Sequence, residues 1–313
     1  MQRYEFRAMG CQMLAVLDSD DPQAAEWLGK VPDWFAEWER HLSRFRDDSE
    51  LVQLNRRSGT LVQVSGVLWD VIQTALQAAQ RSQGLVTPTM LPQLELAGYD
   101  RSFDLIERCP PGDQRWEPFD SAPALVPSAD WQEIAWSQHD HLVRVPPGMQ
   151  LDLGGIAKGW AADRAARLLG AYAPALVDAG GDIAVSGPMA DGRPWPIEVA
   201  DPADPTGRLE LLMLSAGAVA TSGRDYRRWW RHEAWQHHIL DPRTGRPAQT
   251  DVLSATVIAP TAREAEMAAK VVLIRGSGNG MAWIEARPAL AGLLVCEDGR
   301  VVRSRHLQNY VWN

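Results

Sequence analysis

Cysteine is scarce in this chain. Cys11, Cys109 and Cys296 lie far apart among 313 residues, and no Cys-x-x-Cys pair occurs. Neither a zinc site nor a disulfide framework is indicated, and thiols of this kind fit a reducing compartment. An excess of positive charge is also missing: 31 Lys and Arg stand against 40 Asp and Glu, a formal net charge of −9. A general nucleic-acid binder needs the opposite sign, so partners are expected to be small molecules or proteins, and attraction to phosphate falls to a few local groups. No run approaches the roughly 20 apolar residues that a bilayer span requires, so membrane insertion is not expected. Internal repeats and low-complexity tracts are absent. Ala8-Met9-Gly10-Cys11 has the outline of a lipoprotein cleavage box, but Met1 to Arg7 carry Arg3, Glu5 and Arg7 where an apolar stretch is needed. Signal recognition has nothing to bury there, and a cytoplasmic protein is expected.

What is present is ample apolar material. At 45% hydrophobic content the chain can bury a large core, as one big unit or as two intimately joined lobes. Trp34, Phe35, Trp38, Leu42 and Phe45 recur at helical spacing, which predicts an amphipathic helix running into Ser43-Arg44-Phe45 with most of the aromatic stripe in the core. Leu68, Val71, Ile72, Ala75 and Leu76 share one face of a second helix over about Val67 to Ala79, ended by Gly84. Five prolines between residues 101 and 130 disfavour helix interiors and central strands, so a long surface connection is expected there. Glu133 to Trp136 and Leu142 to Val145 read as strands, followed by a helix through Ala161 to Leu169.

Several stretches carry chemistry. Trp235 to Leu240 can form a short strand, after which Asp241-Pro242 and Thr244-Gly245-Arg246-Pro247 force a turn. His238 and Asp241 then stand at a strand end where a ligand can meet them; the alternative is one packed histidine and an Asp that caps its own turn. Leu151-Asp152-Leu153-Gly154-Gly155-Ile156-Ala157-Lys158-Gly159 passes from a strand through glycines into a helix. Free backbone N–H groups and a lysine stand there as a diphosphate site requires, although a glycine turn packing helix on strand reads equally well. It is not a Walker loop, because Trp160 follows Gly159. Gly276 to Gly280 imitates a dinucleotide fingerprint but follows a helix, and reads as a C-terminal cap and loop. Thr261-Ala262-Arg263-Glu264 is a capping box opening a helix that carries Glu266 and Lys270. Glu to Lys at this spacing is also the commonest stabilising helix pair, worth only ~0.2–0.5 kcal/mol.

Five stretches in this order, Met9-Gly10, Ser43 to Asn55, Leu151 to Asp163, Ala220 to Tyr226 and His237 to Gly245, resemble the ApbE family over nearly the whole chain. That resemblance implies an FAD:protein FMN transferase, which splits FAD and joins its FMN half through a phosphoester to a Thr or Ser of a target flavoprotein, releasing AMP. It implies an α+β, T-fold-related architecture over 1–313, with mixed or antiparallel sheets flanked by helices and FAD between two lobes of one domain. Met9 and Phe45 correspond to positions that pack against the cofactor. Leu85, Val86 and Thr87 fall in the block Gly84 to Thr89, which usually reads Gly-x-x-Asp-Pro-Thr and touches FAD; Thr87 replaces the Asp. Asp152, Lys158 and Leu240 correspond to further cofactor contacts, and Gly155 to a backbone ligand of Mg²⁺. His238 and Asp241 line the reaction pocket, with His238 a candidate general base. Thr221 to Tyr226 resembles a Thr-Ser-Gly-x-Tyr segment, one residue longer, that forms a pocket wall. Cys11 stands where the family aligns a threonine.

The largest departure is at the metal. The family binds Mg²⁺ with Asp and Thr four residues apart, and this chain has Glu266 and Lys270. A protonated lysine cannot ligate magnesium, and beside the ion it repels it by several kcal/mol. Two outcomes follow: Lys270 neutralises the diphosphate in place of the metal, or the chain is a non-catalytic FAD binder acting as flavin carrier or adaptor.

Overall fold

The computed structural model describes residues 1–107, 129–231 and 234–312. The expected Pro-rich connection straddles this limit: residues 108–128, with Cys109, lie outside the described residues. Before them Phe103–Glu107 is a short helix with Ile106 buried, a local structure that the proline content had not suggested. The chain is α+β and forms two compact units, each built from separated segments: Met1–Glu39, Ile156–Ser222 and Thr250–Asn313 in the first, Arg40–Gly155 and Gly223–Gln249 in the second. Among the described residues no helix is long and apolar enough to cross a membrane.

The first unit is organised by an eight-stranded sheet whose spatial order follows chain order: Gln2–Ala8, Cys11–Leu17, Ala175–Ala179, Asp182–Val185, Gly217–Gly223, Val252–Ala259, Ala291–Cys296 and Val301–Arg303. Side chains alternate across it. Val16, Leu176, Val219 and Leu293 point to one face, where Ile197 and Leu212 of the hairpin Trp195–Asp201 with Asp204–Leu214 close the core. The helices Ala157–Gly170 and Ala262–Glu285 pack on each other and on the sheet. They approach so closely that a Cβ on Gly159 would lie 2.7 Å from the Ala262 carbonyl oxygen. The first hairpin turns through Met9-Gly10 alone, with Ala8 facing Cys11. Both turn residues have positive φ, 49° and 69°, the twist that a two-residue hairpin requires. The glycine run near the C-terminus also differs from expectation. Gly276, at φ 79°, does end one helical stretch, but the chain then re-enters helix as far as Glu285. Asp251 Oδ1 accepts the Ser277 N–H at 2.8 Å and restarts it.

In the second unit, Ser49 and Ser65 cap the helices Glu50–Arg56 and Gly66–Ser82, accepting from Val52 and Leu68 at 3.1 Å. The latter helix covers the expected span with three residues more at its C-terminal end. Leu142–Arg144 is the central strand between Leu61–Gln63 and Ala135–Ser137. Arg228–Arg231 pairs with Ala234–His237, and Leu240–Asp241 with Arg246–Pro247, so the expected strand over Trp235 to Leu240 is split at His238 and Ile239. The amphipathic stretch through Trp34 belongs to the helix Ala24–Leu42, which buries Phe35, Trp38 and Leu42. Phe45 lies beyond its end and is 43% exposed.

Candidate functional site

In the first unit the glycine-rich segment delivers Lys158 to the first turn of its helix, and the helix Ala262–Glu285 presents Glu266 and Lys270 one turn apart. Lys158 Nζ donates to Asp182 Oδ2 and lies 3.5 Å from Glu266 Oε1. Lys270 Nζ reaches the same Glu266 oxygen at 3.0 Å, while Glu266 Oε2 accepts the Gly159 N–H at 2.9 Å. The carboxylates form the deeper pair, with side chains 1% (Asp182) and 0% (Glu266) exposed against 17% for Lys158 and 14% for Lys270. Burial opposes the charges of Lys158, Asp182 and Glu266, and contact with opposite charges works against it. Against burial, Asp182 and Glu266 hold the Lys158 ammonium above its ordinary value, and Lys270 and Lys158 hold Glu266 below its own. Asp182 goes the other way: burial and the nearby Glu266 charge outweigh Lys158, and its carboxyl is pushed up to about 7. Its Oδ1 is buried without a hydrogen-bond partner among the described residues. Asp182 follows Gly180-Gly181, and a Cβ on Gly180 would lie 2.6 Å from Cys11 Cβ, so the backbone runs hard against the first hairpin. At that hairpin's turn the Met9 N–H donates to Glu39 at 2.9 Å.

In the second unit Asp152 is the organising group. Its Oδ2 meets Arg44 Nε at 2.8 Å, its Oδ1 accepts the Gly154 N–H at 2.8 Å, and its own N–H donates to the Pro88 carbonyl at 2.8 Å. The Arg44 guanidinium lies over the rings of Phe45, at 4.2 Å, and Tyr99, at 4.5 Å. Arg44 Nη2 is buried and has no hydrogen-bond partner among the described residues. Leu85 and Val86 are buried, and Thr87 Oγ1 sits 2.9 Å from Thr89 Oγ1. Leu240 joins Met90, Leu94, Tyr99 and Trp229 in a small core.

The two neighbouring histidines differ. His237 is buried, with Nε2 3.2 Å from the Ala248 carbonyl; burial, then the Arg224 charge, push its imidazole down to about 4. Because a carbonyl only accepts, Nε2 carries the proton and the ring is neutral. His238 is half-buried, its Nδ1 3.4 Å from the Arg227 carbonyl. Asp241 accepts from the Arg243 backbone at 2.9 Å and pairs with its guanidinium at 2.7 Å, so this Asp does cap its own turn.

The profile of the ApbE family matches residues 9–294. The chain belongs to the ApbE family. It is 28% identical to the FAD:protein FMN transferase of Salmonella typhimurium over 291 residues, 91% of this chain and 81% of that protein. To the FAD:protein FMN transferase of Treponema pallidum it is 32% identical, covering 83% of this chain and 74% of that one. The ApbE protein of Thermotoga maritima superposes with a TM-score of 0.84 at 28% identity, covering 100% of both chains. The flavin transferase ApbE of Vibrio cholerae shares the fold at a TM-score of 0.76 and 23% identity, covering 99% of both chains.

Lys158, Glu266 and Lys270 therefore converge in one unit of this ApbE chain, and Phe45 and Asp152 in the other. Two members of these clusters escaped sequence reasoning. Asp182 could have been noticed as the acid after Gly180-Gly181, and Arg44 as a cation beside an aromatic inside the Ser43 to Asn55 block. The residues of the first unit do not fit magnesium. That ion takes near-octahedral oxygen ligands at about 2.0–2.1 Å, whereas both Glu266 oxygens are engaged and two ammonium groups stand 3.0 and 3.5 Å from one of them. Among the described residues no group of three or more His, Cys, Asp or Glu is placed to hold a metal ion.

Proposed function

We propose that this ApbE protein is an FAD:protein FMN transferase. The observation that carries the reading is its 32% identity, along 83% of the chain, to a relative of that name. A Thr or Ser hydroxyl of the acceptor flavoprotein attacks the phosphorus on the FMN side of FAD. The P–O bond to AMP breaks, AMP leaves with that oxygen, and the hydroxyl proton passes to a base. His238 is the candidate, since a neutral imidazole accepts a proton near pH 7. Lys158 and Lys270, the outer members of the charge cluster, face the diphosphate and offset charge that builds on the leaving phosphate.

Phe45, Leu85, Val86, Thr87, Leu240 and Met9 contact the rest of FAD in this reading. Asp152 contributes by holding Arg44, whose Nη2, without a hydrogen-bond partner among the described residues, is a donor for a flavin oxygen. Gly155 offers backbone, and Asp241 fixes the turn beside His238. No step is routed through magnesium. A cytoplasmic setting belongs to the proposal and draws support from the sparse, widely spaced cysteines.

One observation favours a second reading. Both Glu266 oxygens are engaged, one of them by two ammonium groups, so the cluster does not fit magnesium, which suits a flavin carrier without transferase activity. Intact-mass analysis of an acceptor flavoprotein incubated with FAD and this protein separates the two. A gain of one FMN per acceptor supports transfer; an unmodified acceptor, with FAD bound to this chain, supports the carrier.

A further inference from the structure

Lysine is rare here: Lys30, Lys158 and Lys270 are the only three, and every other basic side chain apart from histidine is arginine. Two of the three converge on a single buried oxygen, Glu266 Oε1, at 3.5 and 3.0 Å. Arginine spreads its charge over a planar fork, whereas lysine is a compact point charge, the closer imitation of a small cation. The cluster is also layered. Asp182 and Glu266 are sealed inside at 1% and 0% exposure, and the lysine side chains keep 17% and 14% of their surface. A cluster arranged this way presents its positive end outward.

We propose that Lys270, seated on Glu266 and flanked by the Asp182-held Lys158, is a built-in cation that lets this protein bind a diphosphate ligand without any divalent metal. Glu266 then acts as an anchor for ammonium groups and is not a metal ligand. Asp182 is a positioning residue: one oxygen holds Lys158, and among the described residues its Oδ1 has no hydrogen-bond partner, so its hydrogen bond to Lys158 is what orients this carboxylate. The identity of the ligand as FAD rests on the transferase reading, but the metal question does not.

Two titrations of the full chain test the proposal. In the first, Mn²⁺ is added and free ion is followed by electron paramagnetic resonance, with no flavin present. The expected result is no uptake; one Mn²⁺ per chain, lost in Glu266→Gln, overturns the inference. In the second, FAD binding is followed by fluorescence quenching in Mg²⁺ and in EDTA. Equal affinities are expected, together with a loss on the order of tenfold in Lys270→Met and a smaller loss in Lys270→Arg, which keeps the charge. Affinity that requires Mg²⁺, or an unchanged Lys270→Met, overturns it. Should Lys270→Met fail to fold, Lys270→Arg and the unaltered chain still decide. If FAD does not bind at all, the flavin reading fails and the Mn²⁺ titration still settles the metal site.

Discussion

Asn55 does the work of a strand. Its Nδ2 donates to the Leu151 carbonyl at 2.9 Å and its Oδ1 accepts the Leu151 N–H at 2.8 Å, both buried. The segment carrying Asp152 is thus held by a side chain where, among the described residues, no strand pairs with it. Asn55→Ala leaves two buried backbone groups unpaired, and urea denaturation is expected to show a loss of about 2–4 kcal/mol. His237 yields a pH dependence. Its folded value of about 4 lies below the ordinary 6.5, so the unfolded chain binds the extra proton between those limits. The contribution is complete above pH 6.5 and is lost as pH falls toward 4, on the order of 3 kcal/mol in all. His237→Phe is expected to be less sensitive than wild type to a shift from pH 7 to pH 4.5; identical slopes would remove His237 from that role. At this scale the sequence could be read in part. Of the two adjacent histidines His237 is buried and His238 half-buried, a split that period-2 alternation allowed but could not assign. The pairings of Arg44 and Asp182 were not legible, because their partners lie 108 and 24 residues away, as the Arg44–Asp152 and Lys158–Asp182 pairs show.

Elements were more legible than residues wherever local rules governed them. The apolar face through Leu68 and Leu76 placed the helix Gly66–Ser82 almost to its ends, because a stripe at helical spacing is a local signal. Gly276 was legible as a cap, but the renewed helix after it depends on Asp251, which is distant in sequence. Gly159 shows a requirement that no local pattern reveals. A Cβ there would meet Ala262 O, Ala262 C and Arg263 N at 2.7, 2.8 and 2.8 Å, all backbone atoms that cannot swing aside. Gly159→Ala is therefore expected to separate the two helices, lengthen the Gly159 to Glu266 hydrogen bond and lower stability by about 1–3 kcal/mol, read as a fall in Tm. An unchanged Tm would show that the helices have slack at this contact.

At the scale of the whole molecule, each unit draws on segments far apart along the chain, so its assembly rests on long-range pairing. That is why the α+β character came from the family resemblance, with which the apolar segments only agree, while the eight-stranded order and the boundaries of the two units could not be read. The charge of the whole chain, −9, also concealed the local chemistry, since the lysines that matter are two among 31 basic residues. The family places this molecule among relatives named FAD:protein FMN transferase. The most direct measurement is AMP release from FAD in the presence of an acceptor flavoprotein and EDTA. AMP in proportion to covalently bound flavin, undiminished by the chelator, is the expected result. No AMP with or without Mg²⁺, while FAD is bound and a second transferase modifies the same acceptor, would contradict the transferase assignment.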